Sequence, residues 1–292
     1  MSRYFSPYEL GVFDEATHVV VMQAFFDASE RGDFLVVGGY MFRKRHIKPF
    51  EKRWNAMLRK YNLEYFHMTD CNVAAGVHSH LSHQDCDDCA RMAIQIITEY
   101  ATVGITSGVD IPAFNDLIVQ SGYMKSPFSI SVHSAMMMCK DWAEQNDPSA
   151  RIFYVFEAGD QFQSDANQIL TAISEDPVRR KFFFYEDHAF LTKKGSKPTQ
   201  AADIVAWHTR KQYEREARCE LRLRGDFAAL VDGVMTKRYF HSADELRKIK
   251  AIANKLIPSN HGERIAGLAL RSTNASSKGI DREVLAILLE GG

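Results

Sequence analysis

Three carboxylates in this sequence stand where a folded chain could gather them. Asp27 closes an apolar run, VVVMQAFF, at 19–26, and Glu157 closes a second, IFYVF, at 152–156. Asp203 lies in the early turns of a helix expected to open at Pro198, with Gln200 three residues before it and Trp207 four after, on one helix face. If the two apolar runs are neighbouring strands, their ends lie about 5 Å apart. A helix crossing that edge could deliver Asp203 to the same spot. Two bare carboxylates at about 4 Å repel by roughly 4 kcal/mol at an effective dielectric of about 20, so such a cluster demands protons or divalent cations. Oxygen-only ligands suit Mg²⁺ or Mn²⁺ rather than zinc. Two such ions about 4 Å apart can activate a water and stabilise the leaving oxygen in phosphodiester hydrolysis. Taken alone, Asp27 reads as a strand-end residue capping its own turn.

Auxiliary candidates surround these three. Glu30 follows Asp27 by three residues and Asp160 follows Glu157 by three; each is either an added ligand or a turn residue. Lys197 could meet a phosphate as a point charge, or be a solvated loop lysine. Gln200 could orient a carboxylate, or be a buried amide bonding backbone. His67 is either a wall of the site or a strand-edge histidine, and His208 is a weaker candidate of the same kind. A separate group, His78, His80, His83, Cys86 and Cys89, offers zinc-ligand types including a C-x-x-C pair. From His80 to Cys89 the steps are of three, and on a continuous helix the ends of that series lie about 13.5 Å apart, too far for one tetrahedral ion. A zinc site there would require the histidines to lie in a loop before a helix beginning near Gln84. The other reading is a His-rich loop followed by helix-face cysteines.

The elements that must position these residues can be read from periodicity. Residues 19–26 and 34–42 are two apolar strands around the polar turn 29–33. A helix is expected from Pro49 to about Tyr61, on which Phe50, Trp54, Met57, Leu58 and Tyr61 form one apolar face. Residues 63–68 suggest a short strand, 84–100 a helix, and 103–109 a third long strand stopped by Pro112. Residues 129–144 form a helix apolar almost all round, hence buried. Strands at 152–156 and 181–185 and helices at 165–174 and 199–218 follow. Ser242 and Glu245 make a capping-box signature for a helix over 243–256. Strands first and then strands alternating with helices imply an α/β fold, a mixed sheet with helices on both faces. The division expected is a lead-in at 1–17, a core at 18–218 and a C-terminal helical extension at 219–292.

The stretches FFDAS and GDFLVVGG near the start, FHMTD, VFEAGD, and above all KPTQAADIVAW resemble the bacterial domain-of-unknown-function family numbered 3800. That family is placed in the ribonuclease H-like superfamily, and the resemblance spans roughly residues 18–215 with the motifs in order. It implies a ribonuclease H-like mixed sheet, three antiparallel strands and then parallel ones, with acids on strand one, strand four and a late helix. Asp27, Glu157 and Asp203 match that pattern, which is nearer the Holliday-junction resolvase branch than ribonuclease H itself. The expected activity is a divalent-metal-dependent nuclease with a two-metal Asp/Glu/Asp site. The alternative is a non-catalytic nucleic-acid-binding or effector module on the same fold.

Composition bounds the rest. The 292 residues, 46% hydrophobic and 25% charged, are enough for one large domain or two small ones. A net charge of −1 excludes a global field toward nucleic acid or membrane, so any basic surface is local. Candidate patches are 43–48, Arg179 to Lys181, Lys193 to Lys197, and the run from Arg210 to Arg224. Five cysteines, an odd number, favour a reducing compartment. No apolar run approaches the roughly 18 residues of a membrane span, so a cytoplasmic protein with a nucleic-acid partner and no membrane partner is expected.

Overall fold

The chain's first hairpin sets the plan of the sheet. β1 (Val21–Arg31) and β2 (Phe34–Arg43) pair antiparallel from Met22↔Arg43 to Arg31↔Phe34. Gly32 and Asp33 alone make the turn, and Gly32 supplies the positive φ of +60° that a two-residue turn asks of its first residue. The structure is a computed structural model that describes residues 21–119, 124, 126–159 and 161–256. The expected lead-in at 1–17 lies outside the described residues, as does Asp160.

After the hairpin come α1 (Lys44–Lys60), α2 (Met68–Val73), a single 3₁₀ turn (Gly76–His78), α3 (His83–Tyr100), β3 (Val103–Asp110) and α4 (Ile111–Leu117). Then follow α5 (Pro127–Asn146), β4 (Arg151–Glu157), α6 (Gln163–Glu175), α7 (Pro177–Phe182), β5 (Tyr185–Leu191), α8 (Lys197–Glu216), α9 (Gly225–Gly233), β6 (Thr236–His241) and α10 (Ala243–Leu256). The six strands form one mixed sheet in the order β5-β4-β1-β2-β3-β6. β1 pairs antiparallel with β2 and β2 with β3, while β4 runs parallel to β1, β5 to β4, and β6 to β3. The α/β class and the antiparallel-then-parallel sheet expected from the sequence are therefore present.

Each face of the sheet carries its own core, because alternate strand residues point to opposite sides. On one face Phe25, Tyr40, Phe42, Phe153 and Val155 pack with Trp54 of α1, Ile97 of α3 and Ile204 of α8. On the other, Phe26, Val37, Ile105 and Tyr154 pack with Met136 of α5, Leu170 of α6 and Leu246 of α10. Helix α8 lies directly on β1 and β2 and is buried over most of its length. Its close seat depends on Gly38 of β2, where an added Cβ would stand 2.7 Å from the Ala206 Cα and 2.8 Å from its amide nitrogen. No helix among the described residues is long and apolar enough to cross a membrane.

Several expected elements move. Ser29, Glu30 and Arg31, read as turn, are paired in β1; beyond Phe26 the strand has lost β4 as a neighbour and continues as an open ribbon, where polar side chains meet solvent. The strand expected at 63–68 is irregular chain leading into α2. Phe66 and Met68 give their amides to the side chains of Gln200 and Asp203 instead of to a ladder. The strand expected at 181–185 is the end of α7, which Pro177 and the Asp176 carboxylate initiate by accepting from the amides of Val178 and Arg179. β5 starts only at Tyr185. Helix α1 starts at Lys44, ahead of Pro49. The C-terminal region is more than a helical extension, since β6 joins the edge of the sheet and a boundary at 218 would cut through it. Its sequence, TKRYFH, hides it: an edge strand half open to water needs few apolar residues, and it is anchored by Phe240 against Tyr213 at 4.4 Å between ring centroids.

Candidate active site

Three features of the backbone bring the predicted acids together. The β1–β4 ladder runs to Phe26↔Phe156, so Asp27 and Glu157 are the next residues on adjacent parallel strands, both on the α8 face. Asp27 is also the register partner of Gly38 in β2. Because Gly38 admits Ala206, α8 sits close enough to set Asp203, three residues earlier in the helix, above Asp27. Asp27 is thus not at the end of its strand but at the end of the strand's pairing with β4.

The centre of the cluster is a lysine. The Lys193 Nζ lies 3.1 Å from Asp27 Oδ2, 2.9 Å from Glu157 Oε2 and 3.6 Å from Asp203 Oδ1. Its side chain is 15% exposed. Lys193 follows β5, whose last residue, Leu191, pairs with Glu157, so the loop leaving β5 passes the rim where β4 and β1 present their acids. The loop is fixed by Gln200, which is fully buried and satisfied on both ends: its Nε2 donates to the Lys193 carbonyl at 2.6 Å, and its Oε1 accepts from Trp54 Nε1 at 2.7 Å and the Phe66 amide at 2.9 Å. Gln200 is therefore a buried structural amide that places Lys193. The Met68 amide donates to Asp203 Oδ2 at 2.6 Å, and the Ala28 amide to Asp27 Oδ1 at 2.7 Å.

These contacts polarise the cluster. Burial pushes the Asp27 carboxyl well above the usual carboxylate range; Lys193 pulls it back only in part, while Glu157 and Asp203 push it further up. For Glu157 burial also acts upward, but the hydrogen bond with Asp27 and the Lys193 charge outweigh it and hold the carboxyl below its ordinary value. Against its own desolvation, Lys193 is held firmly charged by Asp203, Asp27 and Glu157. Asp27 Oδ2, though buried, makes no hydrogen bond; its approach to Lys193 is an ion pair.

The donor set fits a hard divalent cation in kind, with three carboxylates and no sulfur or imidazole nitrogen. Mg²⁺ holds its oxygens at about 2.0–2.1 Å, shorter than any of the ion-pair contacts to Lys193. As the side chains stand, no group of three His, Cys, Asp or Glu residues among the described residues is arranged to hold a metal ion. The physical reason at this site is the ammonium, which takes the central position.

The auxiliary candidates divide. His67 precedes α2 with its Nδ1 3.2 Å from Asp70 Oδ2, and its charge contributes to lowering the Glu157 carboxyl, so it belongs to the wall of the site. Glu30 faces the opposite side of β1 from Asp27 and accepts from Gln161 Nε2 at 3.0 Å, because strand residues three apart point apart. Lys197 donates to the Lys194 carbonyl at 3.0 Å and lies near Glu51 and Glu64 rather than among the three acids. His208 is buried between Trp207 and Phe227, 3.8 Å from Asp226. A shallow hollow of about 10 Å³ lies beside Asp27 and Glu157 and is walled by Phe26, Phe128, Phe156 and Phe162.

The His/Cys group is dispersed. His78 is buried edge-on against Phe66, His80 Nε2 meets the Tyr61 carbonyl, and His83 is the exposed first residue of α3. Cys86 and Cys89 face the core from α3, and the Cys71 thiol donates to the Cys86 carbonyl. The basic patches are largely neutralised locally: Arg210 bonds Ser29 and Glu214, Arg215 and Arg218 meet Glu220, Arg224 meets Asp226, and Arg179 meets Asp176. From the basic patches singled out in the sequence, it is Lys193 that reaches the three acids. With the strand expected at 181–185 rather than at Tyr185–Leu191, the sequence carried no signal that separates Lys193 from its neighbours.

No family model, curated protein or solved structure matches the chain in comparison. Fold and site together define an α/β protein whose mixed sheet carries, at one rim, three carboxylates closed around a lysine.

Proposed function

We propose that the protein is a divalent-metal-dependent phosphodiesterase acting on nucleic acid, a nuclease of ribonuclease H-like architecture. The observation that carries this reading is the convergence of Asp27 from β1, Glu157 from β4 and Asp203 from α8 on one cation position. Three antiparallel strands followed by parallel ones support the architecture that the sequence motifs resemble. In this reading Mg²⁺ or Mn²⁺ would be held by Asp27, Glu157 and Asp203. When bound it would supply Lewis-acid stabilisation of the phosphate and an activated water. The chain's own residues orient the site: Gly38 seats α8, the Met68 amide fixes one Asp203 oxygen, and Gln200 fixes the loop bearing Lys193. His67, braced by Asp70, forms part of the wall of the site.

The test is incubation of the protein with single-stranded, duplex and hybrid nucleic acids in Mg²⁺ or Mn²⁺, beside Asp27→Asn. Cleavage by the wild type and its loss in the variant support the reading; no cleavage, or equal cleavage by both, overturns it. A non-catalytic effector module is favoured by the burial of Asp27 and Asp203, 3% and 5% exposed, with the four charges serving only to staple loop to sheet. That reading requires no cleavage under any of these conditions.

A further inference from the structure

We infer that the Lys193 ammonium is the resident counter-ion of the carboxylate site and must leave before a divalent cation enters, so that metal binding is an exchange of one cation for another. The inference rests on the metal-dependent reading above. The ammonium contacts all three carboxylates at 2.9, 3.1 and 3.6 Å. A divalent ion needs the same oxygens at about 2.0–2.1 Å, and two cations cannot share that centre. Without either cation, buried carboxylates would be left uncompensated.

The anchoring of the residue allows the exchange. Its backbone is fixed, through the Gln200 amide on the Lys193 carbonyl, while its charge rides on a flexible four-carbon stem. The side chain is partly exposed, so the head has a way to the rim. Its neighbours do not compete for the acids: Lys194 pairs with Glu64 at 2.9 Å and Lys197 turns back on the Lys194 carbonyl. Once displaced, the ammonium would stay tethered within a side chain's length of the site, able to meet a substrate phosphate as a point charge. One residue thus neutralises the acids in the metal-free protein and offers its charge to a phosphodiester in the metal-bound one.

The full-length protein, Lys193→Met and Lys193→Gln are titrated with Mn²⁺ by calorimetry and by electron paramagnetic resonance of the free ion. Thermal unfolding is recorded with and without Mn²⁺. Exchange requires that both variants bind Mn²⁺ at least about tenfold more tightly than the wild type, a difference of about 1.4 kcal/mol. They must also gain more thermal stability from it, and lose the site again when Asp27→Asn is added. If the wild type binds Mn²⁺ as tightly as the variants, the inference fails while the metal reading stands. If none of the folded proteins binds Mn²⁺, the metal reading fails and the inference with it. Should a variant unfold without metal, its refolding is titrated instead. Refolding at Mn²⁺ concentrations below those that shift the wild type supports exchange, and no refolding overturns it.

Discussion

Gly38→Ala tests the geometry that assembles the site without touching any of its charges. The new Cβ would stand 2.7 Å from the Ala206 Cα, 2.8 Å from its nitrogen and 3.0 Å from its Cβ. Two of these three atoms are helix backbone, so no rotamer change relieves the clash, and α8 must retreat by about 0.7 Å to reach ordinary contact at 3.4 Å. Overpacking of this kind costs about 1–3 kcal/mol. The retreat also lifts Asp203, one turn earlier in α8, from a contact with Lys193 that is already the longest of the three at 3.6 Å. A displacement approaching 1 Å at a reacting centre can cost on the order of 100-fold in rate. The measurements are urea unfolding at neutral pH and, in folded protein, Mn²⁺ affinity and nucleic-acid cleavage relative to wild type. All three are expected to fall, stability by about 1–3 kcal/mol. Gly38→Ala with wild-type stability and wild-type Mn²⁺ affinity would refute the claim that the Gly38–Ala206 approach positions Asp203. Adding Ala206→Gly, which removes the third clash only, should restore part of the stability and not all of it.

Gln200→Leu is expected to destabilise the fold by several kcal/mol, because it strands the buried donors of Trp54 and Phe66 and frees the Lys193 carbonyl. Hydrogen exchange should quicken at the Phe66 amide, and unchanged exchange there would count against the assignment. Acid sensitivity should come from buried neutral histidines: burial holds His78, His133 and His208 at about 4 and His241 at about 3. Their folded values lie below the unfolded 6.5, so their contribution to stability is complete above that pH and is lost as pH falls toward 4. Each contributes a slope approaching 1.4 kcal/mol per pH unit in that window. Unfolding free energy that stays flat between pH 7 and pH 5 would show that these side chains are not held neutral. Truncation after Arg218 removes β6 from β3 and Phe240 from Tyr213, and is expected to give insoluble or unfolded protein. A cooperative thermal transition in the truncated chain would restore the boundary at 218.

Much of the sheet was legible because apolar runs announce strands covered on both faces, and β1, β2 and β4 come from such runs. The helix from Lys197 was legible from Pro198, and α10 from its capping box. What escaped was structure decided by partners rather than by pattern. Residues 63–68 have strand-like composition, but their amides are claimed by Gln200 and Asp203, more than a hundred residues later. β6 is polar because its exposed edge asks little of its side chains, and only its pairing with β3 makes it a strand.

The same division runs through the site. Asp27 and Glu157 could be paired from the sequence because each ends an apolar run and adjacent parallel strands end together. Asp203 could be added because a helix face is periodic. Lys193 belongs to no periodic element, and among the basic residues of its own loop nothing in composition separates it from Lys194 or Lys197. Its position follows from topology: β5 pairs with β4 through Glu157↔Leu191, so the second residue beyond β5 arrives at the acid that ends β4. Desolvating three carboxylates without a cation would carry a large electrostatic cost, and the loop supplies the cation from the nearest chain crossing that rim. An acidic cluster inferred from strand ends therefore implies a search of the loops leaving neighbouring strands for its counter-charge. Here that search ends on one residue, two positions past β5.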